Sequence, residues 1–248
     1  MRLGRVSMTM PSYHYSYLVG TLLFCAAWVA CFVLGRNYRS QILWGTLISA
    51  PLALTSILFI PQYWTPPSLF NLDQRFRVGI EDVIWAASVG GIGSVVGEIF
   101  LKEKLSKSRS QRHKRHYAPF VVMVVVFVIL EFWRPGKTIY NTVIAFAICA
   151  LVVSFLRRDL VPLMLTSAAV FTALYFALFE YLLLLYPGFI QRYYNIPHLL
   201  GIYVFRVPVE ELMFAASGGA VWSIAYEYVR GYRISSATPP QAAQSPGR

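Results

Sequence analysis

Two pairs of adjacent carboxylates, Glu81-Asp82 and Glu210-Glu211, open apolar segments rich in Ala, Ser and Gly. Ionisable groups are costly in such segments, so they read as functional. A carboxyl in an apolar pocket resists ionisation, and a second carboxyl nearby adds to that resistance. An acid kept protonated at neutral pH can protonate an electron-rich alkene. The cation so formed needs a dry pocket and aromatic faces. Trp85, Phe214, Tyr203, Phe205 and Tyr226 are available for this. A conjugate carboxylate can then take a proton back, and the net reaction is an isomerisation that needs no cofactor.

The pairs belong to a repeat. FRVGIEDVIWAASVGGIGSVVGE, Phe76 to Glu98, recurs as FRVPVEELMFAASGGAVWSIAYE, Phe205 to Glu227, with ten of 23 positions identical. The offset, 205 − 76 = 129, defines equivalent positions. Neighbours on a helix point about 100° apart, so only one acid of each pair can aim at a given point. Helical spacing puts Glu81, Trp85 and Ser88 on one face, and Glu210, Phe214 and Ser217 on another. Arg77 and Arg206 precede Glu81 and Glu210 by four residues and are candidate supporting partners. The acids also suit helix N-termini, where the macrodipole favours them by ~0.3–1 kcal/mol. Glu98 and Glu227 lie roughly 25 Å further along the axis. They read as terminal or headgroup-facing residues, with Lys102 and Arg230 in reach.

The elements that hold these acids are membrane helices. The chain is 57% hydrophobic and 13% charged, about half the charged share of a soluble domain. Seven apolar stretches reach or approach the length of a span. They are Tyr15–Leu34, Ile42–Ile60, Val78–Leu101, Ala118–Trp133, Ile139–Leu156, Val161–Tyr186, and Leu200 or Phe205 to Tyr228. Tyr13, Tyr15, Tyr17, Tyr63, Trp64, Trp133, Tyr193 and Tyr194 fall near their ends, as an interfacial belt would. A three-helix unit reverses direction across the bilayer. The fourth helix restores it, so helices 1–3 and 5–7 become parallel repeats. The expected fold is an all-α, seven-helix bundle of two such repeats. Residues 13–101 form the first, 102–137 the basic loop and linking helix, and 138–231 the second. Residues 232–248 are a tail of disordered composition.

The net charge of +11 invites a nucleic-acid reading, but Lys and Arg sit between apolar runs. Fourteen fall on one side and eight on the other, led by the loop Lys102–His116. The positive-inside rule then puts the N-terminus outside and the C-terminus in the cytoplasm of a multi-pass cell-membrane protein. Cys25, Cys31 and Cys149 show no CxxC spacing and read as buried thiols. No His/Cys or Asp-rich pattern points to a metal. Gly90, Gly91, Gly93, Gly218 and Gly219 lie mid-span and suit close helix packing rather than a nucleotide loop. A proton-coupled transporter or binding protein, or a non-catalytic assembly subunit, fits the same residues.

The run Gly201–Phe214, GIYVFRVPVEELMF, resembles the Pro-hydrophobic-Glu-Glu-hydrophobic-hydrophobic-Phe signature of the integral-membrane lycopene cyclase domain family. The first repeat departs from it, with Gly79-Ile80-Glu81-Asp82 in place of Pro-x-Glu-Glu. The resemblance covers most of residues 13–231. It implies two fused three-helix domains that convert the acyclic ends of lycopene, or a related polyene, to rings. It makes Glu210 or Glu211 the proton donor or its partner, and Glu81 or Asp82 the second carboxyl or proton acceptor. Trp85 and Phe214 would face the cation, with Tyr203 and Phe205 beside the substrate. The implied partners are a lipophilic polyene from the membrane and enzymes of carotenoid formation, with no cofactor, metal or nucleic acid.

Overall fold

A backbone in lipid must satisfy its own N–H and C=O groups, so apolar runs of this length fold as helices. The structure is a computed structural model that describes residues 12–101 and 117–231. Its long helices are α1 (Ser16–Leu34), α2 (Arg39–Ser49), α3 (Ile80–Gly93), α4 (Ala118–Trp133), α5 (Thr138–Leu156), α6 (Val161–Leu185) and α7 (Val209–Arg230). Five helical runs are long and apolar enough to cross a membrane: Tyr13–Leu34, Arg36–Phe59, Ile80–Leu101, Thr138–Leu156 and Arg158–Leu185. This is an all-α membrane protein. α4 is shorter, at 16 residues, and α7 has the length but carries Glu210, Glu211 and Glu227. The basic loop Lys102–His116, with Lys102 itself, and the tail 232–248 lie outside the described residues.

Three expected helices differ in detail. The second run is helical only to Ser49, then tightens to a 3₁₀ stretch, Ala50–Thr55, before a last turn at Ser56–Phe59. Pro51 explains the change, because it lacks an N–H and its ring crowds the preceding turn. The third run breaks after α3 and resumes at Val96–Leu101. Side chains serve the break: Ser94 Oγ donates to the Gly91 carbonyl at 2.8 Å and Gln41 Nε2 to the Ser94 carbonyl at 2.6 Å. The last helix starts at Val209 rather than at Leu200 or Phe205. A short hairpin, β1 (Tyr203–Val204) with β2 (Val207–Pro208), comes first, with Phe205 at φ 54° in its turn.

α3 packs against α1 and α2, and α7 against α5 and α6, so the acid-bearing helix of each repeat lies on the other two. The glycines allow this. A Cβ on Gly90 would sit 2.1 Å from Ser49 Oγ, and one on Gly219 would sit 2.9 Å from Phe171 Cβ. Close packing is therefore the role of these small residues. α4 packs on α5, while α1 and Val96–Leu101 rest on α6. The larger core joins Phe24, Ile92, Phe171 and Tyr175. A smaller one, around Cys149, Val153, Val221 and Ile224, joins α5, α6 and α7. Cys25 and Cys31 are half-buried, and all three thiols are free.

Candidate active site

The first turns of α3 and α7 place all four acids in buried positions. Their phases differ. Asp82 and Glu211 line a cavity of about 430 Å³, whereas Glu81 and Glu210 do not. The outward acids hold the backbone instead. Glu81 Oε1 accepts the Leu69 N–H at 2.7 Å. Glu210 Oε1 accepts the Leu200 N–H at 2.5 Å and the Tyr140 hydroxyl at 2.7 Å. Each thus ties down the loop that leads into its own helix.

Asp82 sits in an acid cluster. Its Oδ1 accepts the Tyr17 hydroxyl at 2.7 Å, and its Oδ2 accepts the Gly79 N–H at 2.7 Å, capping α3. Asp73, from the short helix Leu72–Phe76, is buried and hydrogen-bonded to Asp82. Burial, and then the charge and hydrogen bond of Asp82, push Asp73 up to about 8. This cluster therefore retains a proton at neutral pH. The equivalent of Asp73 in the second repeat is Ile202 (73 + 129 = 202), so that side has no such third acid.

Glu211 has the opposite surroundings. Its Oε1 accepts hydroxyls from Tyr63 at 2.8 Å and Tyr194 at 2.9 Å, and its Oε2 accepts Tyr175 at 2.5 Å. Burial, and then the Glu211 charge, push the Tyr63 and Tyr194 hydroxyls well above their ordinary range, so both remain donors. Three O–H groups on one carboxylate replace the water it has lost. Tyr175 comes from α6, and two loops bring Tyr63 and Tyr194 to it. Trp64 and Tyr194 form an antiparallel bridge, with the Thr65 N–H donating to the Tyr193 carbonyl at 2.7 Å.

Aromatic faces complete the chamber. Trp85 and Phe214 line it and stack at 5.8 Å. Tyr17 meets Trp64 edge-on at 4.8 Å, and Trp64 meets Tyr194 at 5.6 Å, linking the Asp82 side to the Glu211 side. Along α7 and the run of α3 with its continuation Val96–Leu101, equivalent residues meet. Trp85 touches Phe214, Gly93 lies against Trp222, and Glu98 is hydrogen-bonded to Glu227.

Several sequence expectations need correction. The acid and aromatic that share the cavity wall are spaced i, i+3 (Asp82 with Trp85, Glu211 with Phe214), not i, i+4. Ser217 turns its hydroxyl back to the Met213 carbonyl at 2.8 Å. Tyr203 and Phe205 are on the exposed hairpin, 37% and 85% accessible, and do not line the cavity. The turn at Phe205 swings that ring out toward Phe176. Tyr226 lies edge-on to Trp44, away from the acids. Arg77 and Arg206 are exposed, and among the described residues neither is ion-paired with these carboxylates. Arg206 instead gives its main-chain N–H to Glu180 at 2.8 Å. Glu98 and Glu227 are not headgroup-facing. They are 1% and 0% exposed and face one another beside Gln41.

Asp73 and the tyrosines are the residues that pattern reasoning passed over. Tyr17, Tyr63 and Tyr194 have the position of a belt, but their hydroxyls point inward to carboxylates. The recoverable signal for Asp73 was its rarity, as one of three Asp in the chain.

The site can therefore hold a proton on one wall and a carboxyl bound by three tyrosine hydroxyls on the other, across an apolar, aromatic chamber. Comparison with known families agrees with such chemistry: residues 137–229 match the family model described as lycopene cyclase. Neither the curated proteins nor the solved structures yield a match.

Proposed function

We propose that this chain, whose residues 137–229 match the lycopene cyclase family model, cyclises the acyclic ends of lycopene or a related polyene. The match supports a carotenoid-cyclising enzyme in general terms, and the roles follow from the chamber. Asp82, next to Asp73, delivers a proton to the terminal alkene of the end group. The new C–H bond leaves a tertiary cation, and the neighbouring double bond closes on it to form the ring. Trp85 and Phe214 face the positive charge. Glu211 stabilises it and accepts the proton lost from the ring. One proton enters and one leaves, so the reaction is an isomerisation with no redox change. Glu81 and Glu210 position the helices and loops.

In this reading the chain is two parallel three-helix repeats, 13–101 and 138–231, joined by 102–137. The contacts between equivalent residues along α3 and α7 support it, because two helices can pair in register only when they run in one direction. It is a multi-pass cell-membrane protein with the N-terminus outside, and it takes its polyene from the lipid.

The single observation that carries the proposal is the convergence of Asp82 and Glu211 on one apolar cavity. Expression in lycopene-accumulating bacterial cells tests it. Cyclic end groups are expected from the wild type and lost in Asp82→Asn and Glu211→Gln, with protein still in the membrane. Unchanged lycopene beside well-expressed wild type overturns the carotenoid assignment.

A further inference from the structure

The chamber has a direction. Its carboxylates and their tyrosines lie at a buried end, where Asp82 and Glu211 are 3% and 5% exposed. Other lining residues are open to the outside: Leu52 at 45%, Val124 at 54% and Val128 at 44%. A residue that both lines a cavity and is exposed marks its mouth. These three come from two elements, the 3₁₀ stretch Ala50–Thr55 and α4. α4 packs on α5, and it forms no substantial packing with Ala50–Thr55. Both elements contribute side chains to the cavity wall, Leu52 and Ala53 from one and Val124, Phe127 and Val128 from the other.

The mouth opens into lipid rather than water. α4 is apolar all round except for Glu131 near its C-terminal end, and Val121, Val125 and Ile129 are exposed along with the two lining valines. A helix that is hydrophobic all round has acyl chains as its solvent. Leu52, Leu54 and Ile57 give the opposite lip the same character. A hydrocarbon passing from the bilayer to the carboxylates meets mostly apolar side chains, with Thr55 and Ser56 the polar groups beside the lip.

We propose that a linear polyene enters this lateral mouth end-first, so that one end group reaches Asp82 and Glu211 while the rest of the chain stays in the bilayer. The inference rests on the cyclase reading above. It adds a consequence: both acids serve one chamber, so the two ends of a symmetric polyene are closed in separate visits. The product of the first visit carries one ring and leaves through the same mouth.

Narrowing the mouth tests this. Leu52→Trp and Val128→Trp are expected to lower kcat/KM by about ten-fold or more, with Val125→Trp, on the same helix outside the cavity, within about two-fold of wild type. Because a bulky residue can disturb folding, Val128→Cys is also purified folded and then labelled with a bilayer-soluble bulky maleimide. Labelling should stop ring formation in this variant and leave similarly treated wild type, with its native Cys25, Cys31 and Cys149, active. In a time course, a monocyclic product should appear first and free in the membrane. Wild-type rates in Leu52→Trp, Val128→Trp and the labelled Val128→Cys overturn the mouth. A bicyclic product from the earliest time, with no free monocyclic form, overturns the separate visits. Both results require a wild type that cyclises; a wild type that makes no ring overturns the cyclase reading itself, and the inference with it.

Discussion

Trp85 of α3 and Phe214 of α7 stack across the chamber, with ring centroids 5.8 Å apart and planes inclined by 27°. They are equivalent residues of the two repeats (214 − 85 = 129). The repeats therefore meet at the cavity wall, through the same position used twice. A cation held against such faces in a dry site gains about 2 kcal/mol. Trp85→Ala and Phe214→Ala should each cut ring formation by about ten-fold or more at equal membrane levels. Trp85→Phe and Phe214→Trp should restore most of it. Pigment chromatography with immunoblotting reads both quantities. Equal losses in the aromatic and alanine variants would assign the pair to packing alone.

The three hydroxyls on Glu211 make a second prediction. A hydrogen bond to a charged group contributes roughly 1.5–3 kcal/mol. Tyr63→Phe, Tyr175→Phe and Tyr194→Phe each remove one donor and keep the ring. Each should slow turnover by about ten-fold. The losses should not add, because the remaining donors re-aim at the same two oxygens. Single-turnover kinetics on the three single variants and the triple variant would measure this. Wild-type turnover in the triple variant would remove Glu211 from the chemistry.

Helix existence and the acidic pairs are legible in the sequence for one reason: a long apolar run in lipid has one backbone solution. The facing of the acids is not. It depends on where each helix begins, and a shift of one residue turns the wall by about 100°. The hairpin before Val209 and the Gly79 start of α3 fix that phase, and neither has an apolar period to read. The tyrosines are hidden for a related reason. A ring near a span end suits the interface equally well, and only the Trp64–Tyr194 bridge turns Tyr63 and Tyr194 inward. Glu98 and Glu227 were misplaced because distance along a helix says nothing about which neighbour covers its end.

That buried pair gives a third prediction. Glu98 and Glu227 meet across the two repeats, with Gln41 also on Glu227. An amide can replace one carboxyl and keep a hydrogen bond, so Glu227→Gln should hold its thermal unfolding midpoint in detergent. Glu227→Ala leaves the Glu98 carboxyl to be desolvated without that contact, at a cost of about 1–3 kcal/mol. Its midpoint should fall, while activity per folded molecule stays the same, since neither residue lines the cavity. A loss of activity in Glu227→Gln at unchanged stability would instead tie this pair to the reaction.

The fourth prediction concerns pH. Asp73 is pushed up to about 8 in the fold, from 3.8 ordinarily. Between these values the folded protein holds a proton that the unfolded chain has lost. Stability therefore declines as pH rises through this window and levels off above about 8. Asp73→Asn carries no such proton, so its unfolding midpoint should vary less between the two values. Activity should follow the proton on the Asp73–Asp82 cluster and fall as pH passes about 8. Asp73→Asn removes the group that holds this proton up to about 8. The falling limb of the pH–rate profile should then move to lower pH in Asp73→Asn, with KM little changed because Asp73 does not line the cavity. An unmoved limb would place the proton that starts ring closure somewhere other than this cluster.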